Sequence, residues 1–204
     1  MAGLQEGDTI FFIAAPEKAA CIYAGQIRNE LGSRLDLLEK DAYRFCYIND
    51  FPMYEIDEET GKLGFTHNPF SMPQGGLEAL NEKDPLDILA YQYDIVCNGV
   101  ELSSGAVRNH DMEIMEKAFD IAGYDKETLK DKFGALYNAF QFGAPPHAGM
   151  APGVDRMIML LRNEENIREI IAFPMSGTAQ DLMCGAPNEI TEQQLREVHI
   201  KVRD

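Results

Sequence analysis

The chain has 204 residues, of which 45% are hydrophobic and 25% are charged, values typical of a folded globular domain. Its 18 basic and 34 acidic residues give a formal net charge of -16. A surface of this charge repels nucleic acid and anionic membranes as a whole, so any polyanionic partner must be bound by local basic groups. No run approaches the ~18 apolar residues of a membrane span, and the four cysteines form no CxxC pair. These features predict a cytoplasmic protein, no membrane partner, and cysteines that are small buried apolar residues.

The first forty residues predict one strand followed by one helix. Residues 8–15 (DTIFFIAA) are apolar, aromatic and β-branched, as in a buried strand. Pro16 and Glu17 favour a helix start, and Gly32 predicts the helix end. Because ~40 residues bury too little surface for a core of their own, we expect the chain to begin inside a domain.

The next segment predicts strands. Residues 43–50 alternate and end at a proline, and a second strand over 63–66 would complete a hairpin. Residues 67–76 (HNPFSMPQGG) form a Pro- and Gly-rich loop, long enough to carry function. A strand over 91–97 meets Asn98-Gly99, a pair typical of a two-residue hairpin turn, and the chain returns from Val100.

Helices dominate the rest of the chain. Asp111 is the predicted N-cap of a helix that ends at Gly123, and Asp125 is the predicted N-cap of another. A third helix is predicted to begin near Pro152, and Thr191 with Gln194 forms a capping box that predicts the last one.

Two carboxylates are predicted to share one face of the hairpin. If Asn98-Gly99 is a two-residue turn, Val96 faces Glu101, and Asp94 projects from the same face. Such a pair suits a Mg²⁺ ion that carries phosphates, because this cation keeps several waters and needs only one or two carboxylates. A solvated acidic pair on an edge strand explains the same spacing, and spacing alone favours that alternative.

Two arginines and a histidine are further candidates for binding. Arg108 follows the small residues of SSGAV, which permit close approach of a carboxylate or phosphate to its guanidinium; a surface ion pair is an equal alternative. Arg156 lies at the start of an apolar helix after GMAPGVD, where a backbone without side chains can approach a nucleotide. Taken alone, that pattern more readily indicates a tight turn with Arg156 in a salt bridge. His67 is placed in the loop to donate to an anionic substrate.

Taken in order, these segments resemble the C-terminal part of a bacterial-type aspartyl-tRNA synthetase, a class II aminoacyl-tRNA synthetase. The resemblance covers residues 4–202 and is carried by five consecutive blocks: YINDFPMYE, FTHNPFSMP, QYDIVCNGVELSSGAVRNH, GAPPHAGMAPGVDRMIMLL and AFPMSGTAQDLMCGAP. It implies an α+β fold in which residues 42–204 form the C-terminal half of a class II catalytic domain, an antiparallel sheet flanked by helices. Residues 1–41 would be a remnant of the insertion domain that bacterial members carry.

The resemblance also implies an activity and a set of site residues. It implies ATP- and Mg²⁺-dependent activation of L-aspartate to aspartyl-adenylate, followed by transfer to tRNA. Its third signature motif falls on Gly153, Val154, Asp155 and Arg156, with the arginine stacked on the adenine of ATP. Asp94 and Glu101 would be the carboxylates for Mg²⁺-ATP, while Arg108 and His67 would bind the substrate aspartate. Arg156 and Glu101 are thereby the implied catalytic residues.

The implied partners are L-aspartate, ATP and aspartate tRNA, with a homodimer in the full-length enzyme. The family's usual His-His-Pro-Phe reads His-Asn-Pro-Phe here, with Asn68 in second place, which leaves asparagine tRNA open as a second partner. The first two signature motifs and the anticodon-binding barrel are not found in the sequence, so we expect a partial chain with little activity of its own. The alternatives are a non-catalytic fragment or paralogue that binds nucleotide, amino acid or a partner chain, and, more weakly, a synthetase for asparagine or lysine.

Overall fold

The computed structural model describes residues 3–203, which divide into two compact units, one ending at Tyr43 and the other beginning at Arg44. The first unit contains one helix, α1 (Glu17–Arg34), which begins directly after Pro16 as predicted. The predicted buried strand over residues 8–15 is wrong: this run is irregular, and Phe12 is 86% exposed. A strand is stabilised by ladder hydrogen bonds, and no other strand lies among the described residues of this unit.

The predicted end of α1 at Gly32 is also wrong. The helix continues to Arg34, and the N–H of Leu37 then donates to the carbonyl of Gly32 (2.9 Å). A Cβ at position 32 would lie 3.0 Å from Leu38 Cδ2, so the glycine permits the chain to fold back against the helix. Its role is close packing rather than helix termination.

The second unit contains two antiparallel sheets. Its strands are β1 (Phe45–Pro52), β2 (Tyr54–Ile56), β3 (Leu63–Phe65), β4 (Leu89–Cys97), β5 (Val100–Val107) and β6 (Ala148–Pro152). One sheet has the order β1-β4-β5-β6, and β2 pairs with β3 in the other. The predicted hairpin is therefore only half correct, because the strand over 63–65 pairs with β2, while β1 pairs with β4. Strand β6 was not predicted, since its sequence AGMAP has no alternating pattern.

The helices of the second unit are α2 (Gly76–Glu82), α3 (Met112–Ile121), α4 (Lys126–Phe140), α5 (Val154–Leu161) and α6 (Glu192–Glu197). Single turns of 3₁₀ helix lie at Pro85–Asp87 and Ile167–Glu169. The side chain of Asp111 accepts hydrogen bonds at the start of α3, and that of Asp125 does so at the start of α4. The capping box of Thr191 and Gln194 is present at α6. These caps confirm three predicted helix starts, and helices with antiparallel sheets confirm the α+β class.

The hydrophobic core lies between the small sheet and helices α2 to α4. One cluster of buried side chains comprises Met53, Tyr54, Leu80, Ile88, Ala90 and Ala118. A second cluster comprises Met115, Phe119, Leu129 and Tyr137. Burial raises the pKa of Tyr54, whose hydroxyl donates to the carbonyl of Ala118 (2.9 Å). The core thus fixes the α3–α4 region against the segment that leads into the loop after β3.

The cysteines only partly follow the sequence prediction. Cys97 is buried, but Cys21, Cys46 and Cys184 are exposed, so the prediction of four buried cysteines is wrong for three of them. Cys46 lies on β1, which pairs on one side only and is therefore largely exposed. Within residues 3–203, no helix combines the length and apolarity needed to cross a membrane.

Candidate active site

A cavity of about 170 Å³ opens over strands β4 and β5. Its walls come from β1, the loop after β3, and these two strands; the lining residues are Phe51, His67, Asn68, Gln92, Asp94, Glu101, Ser104, Gly105 and Arg108. Four of the nine, His67, Asp94, Glu101 and Arg108, are candidates that the sequence singled out. The structure therefore brings residues from a loop and three strands into one concave site.

The hairpin turn has the geometry that the sequence predicts. Cys97 pairs with Val100, and the two residues between them, Asn98 and Gly99, have φ angles of 50° and 81°. Both angles are positive, as a type I′ turn requires, and Asn-Gly is the pair that adopts them most readily. The register that follows from this turn places Val96 opposite Glu101, which is the predicted pairing.

Strand β5 contains a bulge immediately after Glu101. Val96 pairs with Glu101, but the next pair is Ile95 with Ser103, which leaves Leu102 without a partner on β4. An extra residue of this kind shifts the alternation of side chains between the two faces of the strand. The β5 residues beyond the bulge therefore point to the face opposite to the one that a regular ladder would give them.

The bulge decides which side chains face the cavity. Arg108 and Glu101 are an odd number of residues apart, so a regular hairpin would place their side chains on opposite faces of the sheet. With the bulge, Ser104 pairs with Asp94, and Glu101, Ser104 and Arg108 all line the cavity. The turn alone predicts Asp94 and Glu101 on one face, but nothing in the turn places Arg108 beside them.

The two carboxylates are close enough to influence each other. Burial raises the pKa of Asp94, and the charge of Glu101 raises it further, while His67 acts in the opposite direction. A like charge disfavours ionisation of a neighbouring carboxyl, and a cation favours it. The site is therefore one in which positive charge from a ligand would be stabilised.

The donor set fits a divalent cation that completes its coordination with waters or ligand oxygens. Among residues 3–203, no cluster of three or more histidine, cysteine, aspartate or glutamate side chains is arranged to hold a metal. Asp94 and Glu101 supply two hard carboxylate ligands on the wall of one cavity. Mg²⁺ is commonly bound through one or two carboxylates with retained waters, so the residues present fit this ion.

The guanidinium of Arg108 forms no hydrogen bond or ion pair with the described residues. Its backbone N–H donates to the carbonyl of His147 (2.9 Å), and it forms an isolated β-bridge with Ser71. Its side chain lines the cavity and, within the described part of the chain, forms none of the observed ion pairs or hydrogen bonds. The surface ion pair that the sequence left open is thus not formed with any described residue. A planar guanidinium in this situation binds a carboxylate through two parallel hydrogen bonds.

His67 lies at the rim of the same cavity. The side chain is exposed, and its ring packs edge-on against Phe51, with the ring centroids 5.2 Å apart. Asp94 lines the same cavity, and His67 acts to lower its pKa. The ring can donate a hydrogen bond to an anionic group held by Arg108.

Arg156 lies beside Glu101 and does not line the cavity. Its Nη1 atom donates to the carbonyl of Glu101 (2.7 Å) and lies 3.3 Å from Glu101 Oε1. The two side chains are 44% and 47% exposed, and ion pairs in water of this kind contribute at most about 1 kcal/mol. This is the salt bridge that the sequence pattern left open, and its low energy allows the arginine to exchange it for another anion.

The residues before Arg156 form the start of α5. Gly153 is the N-cap, and its N–H donates to the carbonyl of the bulged Leu102 (2.7 Å), which ties the helix start to β5. Val154 and Asp155 follow in the first turn with exposed side chains. This segment thus lies next to Glu101 with its helix N-terminus and its arginine accessible to a ligand.

Five lining residues were not proposed as site residues from the sequence: Phe51, Asn68, Gln92, Ser104 and Gly105. Gln92 could have been found, because it lies two residues before Asp94 on the same strand, and side chains two apart share a face. Ser104 could not have been found without the bulge. Phe51 reaches the cavity because β1 pairs with β4, a long-range contact with no local signal.

Comparison with known proteins gives consistent matches. A family profile described as class II tRNA synthetases (D, K and N) matches residues 14–177. The aspartate-tRNA(Asp/Asn) ligase of Zymomonas mobilis is 60% identical over 200 residues, which cover 98% of this chain and 34% of that protein. The aspartate-tRNA ligase of Streptomyces avermitilis is also 60% identical over 200 residues, with the same coverage of 98% and 34%.

A solved structure shares the fold. The aspartyl-tRNA synthetase of Entamoeba histolytica superposes with a TM-score of 0.50 and 24% identity, over 86% of this chain and 29% of that one. The likeness concerns the fold alone. The chain spans about a third of the length of these curated relatives.

Proposed function

The chain belongs to the class II tRNA synthetase family of the D, K and N type, and from this membership we propose that it carries part of the substrate site of an aspartate-tRNA ligase. The names of its 60% identical relatives support the choice of aspartate within that family. The observation that carries the proposal is the cavity over β4 and β5, which is lined by two carboxylates, a histidine and an arginine that pairs with none of the described residues.

The amino-acid substrate is proposed to bind through Arg108 and His67. The Arg108 guanidinium, which pairs with none of the described residues, would bind the side-chain carboxylate of L-aspartate in a bidentate fork, and His67 would add one hydrogen bond. The neutral amide of L-asparagine would leave the guanidinium without a counter-charge, which costs several kcal/mol in a desolvated site. Specificity for aspartate follows from that difference.

ATP is proposed to bind beside this pocket, on residues 153–156. Arg156 would release its exposed ion pair with Glu101 and stack on the adenine, while the N-terminus of α5 favours negative charge. Asp94 and Glu101 would hold Mg²⁺ together with ATP, and the ion would neutralise charge on the phosphates. The contribution of these residues is to position the reactants and to balance their charge.

The proposed reaction has two steps. An oxygen of the aspartate α-carboxylate attacks the α-phosphorus of ATP; the new O–P bond forms as the bond to the bridging oxygen breaks, and pyrophosphate leaves. A terminal ribose hydroxyl of tRNA then attacks the acyl carbon of the aspartyl-adenylate; AMP leaves with the electron pair of the broken acyl–oxygen bond, and the hydroxyl proton passes to the departing phosphate. Arg108 and His67 hold the aspartyl group through both steps.

The tRNA partner is proposed to be aspartate tRNA, with asparagine tRNA as the alternative. A relative named aspartate-tRNA(Asp/Asn) ligase and a relative named aspartate-tRNA ligase match with the same 60% identity, so identity does not favour either. The net charge of -16 requires that any tRNA contact use local arginines and lysines. Residues 1–41 are proposed to be the end of the bacterial insertion domain.

Binding of L-aspartate to the purified chain tests the proposal. Calorimetric titration should show binding of L-aspartate and no detectable binding of L-asparagine. Arg108→Gln should weaken L-aspartate binding at least tenfold, because a charge-assisted pair is lost. Arg34→Gln, which removes an exposed arginine paired with Glu30 on α1, is the matched control and should leave binding unchanged. Equal affinity for the two amino acids would contradict the proposal.

Pyrophosphate exchange separates an active enzyme from a non-catalytic binding chain. We expect little or no aspartate-dependent exchange from this chain by itself, because the second class II motif with its α-phosphate arginine is not found in the sequence. Aspartate binding without exchange would agree with this expectation. Robust exchange by the purified chain would show that the expectation is wrong and that these residues suffice for adenylation.

The assignment of Glu101 has its own test. Glu101→Gln should weaken Mg²⁺-dependent binding of ATP, because one of two proposed carboxylate ligands is lost. Glu82→Gln on α2 replaces an exposed glutamate that does not line the cavity and should leave ATP binding unchanged. An unaltered metal dependence in Glu101→Gln would remove Glu101 from the proposed site.

A further inference from the structure

One buried amide connects the loop that carries His67 to the sheet. Gln92 lies on β4, is 7% exposed, and pairs with Ala106 on β5. Its Nε2 atom donates to the main-chain carbonyl of Asn68 (3.3 Å). Buried side-chain amides are kept where their hydrogen bonds are made, so this contact accounts for a glutamine in a strand interior.

The later half of the loop does not depend on that contact. The N–H of Asn109 donates to the carbonyl of Phe70 (2.7 Å), and the N–H of Met72 donates to the carbonyl of Val107 (2.9 Å). Met72 in turn accepts from the N–H of Tyr91 (2.9 Å). Backbone hydrogen bonds to both β4 and the end of β5 therefore hold residues 70–72.

The earlier half of the loop has fewer connections. Thr66 is held by a hydrogen bond from its N–H to the carbonyl of Met53 (3.1 Å). Between Thr66 and Phe70, the bond from Gln92 is the one described hydrogen bond that links the loop to the sheet. His67 lies in this interval, so its position relative to the cavity depends on the conformation at Asn68.

Asn68 is itself held in a turn that directs its carbonyl toward Gln92. Its Oδ1 atom accepts from the N–H of Phe70 (2.9 Å), which is an Asx-turn, and its carbonyl also accepts from the N–H of Ser71 (3.2 Å). The main-chain conformation of Asn68 is thus set by its own side chain from within the loop. Gln92 fixes the same residue from the sheet.

We propose that Gln92 is a positioning residue of the candidate site: its amide fixes the main chain at Asn68 and so holds His67 at the cavity rim beside Asp94 and Arg108. The inference rests on the proposed function for the identity of the ligand, L-aspartate. Loss of Gln92 leaves the Asn68 carbonyl with its bond from Ser71, so no buried acceptor is orphaned and the stability cost is small. Loss of Gln92 should instead make the loop less ordered and weaken the binding of L-aspartate.

Hydrogen exchange measured by mass spectrometry tests the positioning role without any ligand. Gln92→Met keeps the length of the side chain and removes the donor; it should speed exchange in the peptide covering residues 67–71 about tenfold, because the local opening free energy falls by one hydrogen bond. Gln74→Met is the matched control. Gln74 Nε2 donates to Asp50 Oδ1 (2.6 Å) at the far end of the same loop, outside the cavity lining.

The control should leave exchange over residues 67–71 unchanged. Gln92→Glu, which keeps size and polarity but has no donor when ionised, should reproduce the effect of Gln92→Met. Unchanged exchange over 67–71 in both Gln92 variants would overturn the inference. If Gln74→Met speeds exchange over residues 67–71 as much as the Gln92 variants do, the inference is overturned as well, because the effect would then be general to the loop.

Ligand binding provides the second readout. Gln92→Met should weaken L-aspartate binding about five- to tenfold while the affinity for Mg²⁺-ATP and the Tm stay close to those of the wild type. The inference is overturned if Gln92→Met loses affinity equally for L-aspartate and for Mg²⁺-ATP. It is also overturned if Gln74→Met loses as much L-aspartate affinity as Gln92→Met does. If the wild-type chain does not bind L-aspartate, the proposed function fails, and the exchange measurement still decides whether Gln92 fixes the loop.

Discussion

Residues 8–15 and strand β4 share strand-forming residue types but have very different structures. Both are short and rich in apolar, aromatic and β-branched residues, and both predict strands. β4 lies between β1 and β5, pairs with both, and buries Cys97 and Ala90. Residues 8–15 have no partner strand among the described residues of their unit and leave Phe12 exposed. An apolar run therefore specifies a strand only where neighbouring strands complete its hydrogen bonds.

The contrast between a packed and an unpacked segment applies to single side chains as well. The largest expected effect on stability comes from comparing two phenylalanines. Phe119 is 1% exposed and contacts the rings of Phe65, Phe70, Tyr124 and Phe133. Phe119→Ala should lower the free energy of unfolding by about 3–5 kcal/mol, because a large cavity forms in the core. Phe12→Ala should change it by less than about 0.5 kcal/mol. Chemical denaturation of the two variants measures both values; similar losses would show that residues 8–15 are packed in solution.

The second prediction concerns two glycines in the large sheet. A Cβ at Gly105 would lie within 2.5 Å of Tyr93 Cε2 and would also overlap the carbonyl of Gly149, whereas a Cβ at Gly149 meets nothing within 4 Å. Gly105→Ala should therefore destabilise the protein by roughly 1–3 kcal/mol, and Gly149→Ala should have little effect. Thermal unfolding of both variants compares them. Equal stability of the two would mean that β4, β5 and β6 are not packed as closely as described.

The third prediction concerns a half-buried carboxyl between α3 and α4. Burial acts to raise the pKa of Glu116, but hydrogen bonds from Lys126 and Tyr137 outweigh it, so the pKa lies below its ordinary value of 4.5. A carboxyl whose folded pKa is lowered stabilises the protein above its unfolded pKa, and this contribution disappears as the pH falls through the folded pKa.

Glu116→Gln should accordingly lower the free energy of unfolding by about 1–2 kcal/mol at neutral pH, and the difference from wild type should shrink as the pH falls through the lowered pKa of Glu116. Urea denaturation at several pH values measures this dependence. Glu82→Gln, at an exposed position on α2, is the control and should show no comparable change. A difference that stays constant across the pH range would contradict the role of the ionised carboxylate.

The smallest expected effect on stability is that of Arg156. Arg156→Ala removes a half-exposed ion pair and should lower the free energy of unfolding by no more than about 1 kcal/mol. If the arginine stacks on ATP as proposed, Mg²⁺-ATP affinity should fall at least tenfold in the same variant. Arg196→Ala, which removes an exposed pair with Glu192 on α6, is the control for both measurements. A large loss of stability with unchanged ATP affinity would assign Arg156 to the fold alone.

Local signals predicted much of the second unit. The caps at Asp111, Asp125 and Thr191 and the turn at Asn98-Gly99 are present where the sequence places them, because each depends on a side chain and the few residues beside it. Pairing was predicted less well. The strand over 63–65 pairs with β2, and β6 joins the sheet without any alternating pattern, since both outcomes depend on residues distant in sequence.

The candidate site shows the same division. The residue types, the tight turn that places Asp94 and Glu101 on one face, and the family to which the chain belongs all follow from the sequence. The presence of Arg108 in the same cavity and the position of Arg156 beside Glu101 depend on the folded chain. Both depend on the bulge at Leu102, because one residue without a partner on β4 shifts the alternation of β5, and the carbonyl of that residue anchors the start of α5.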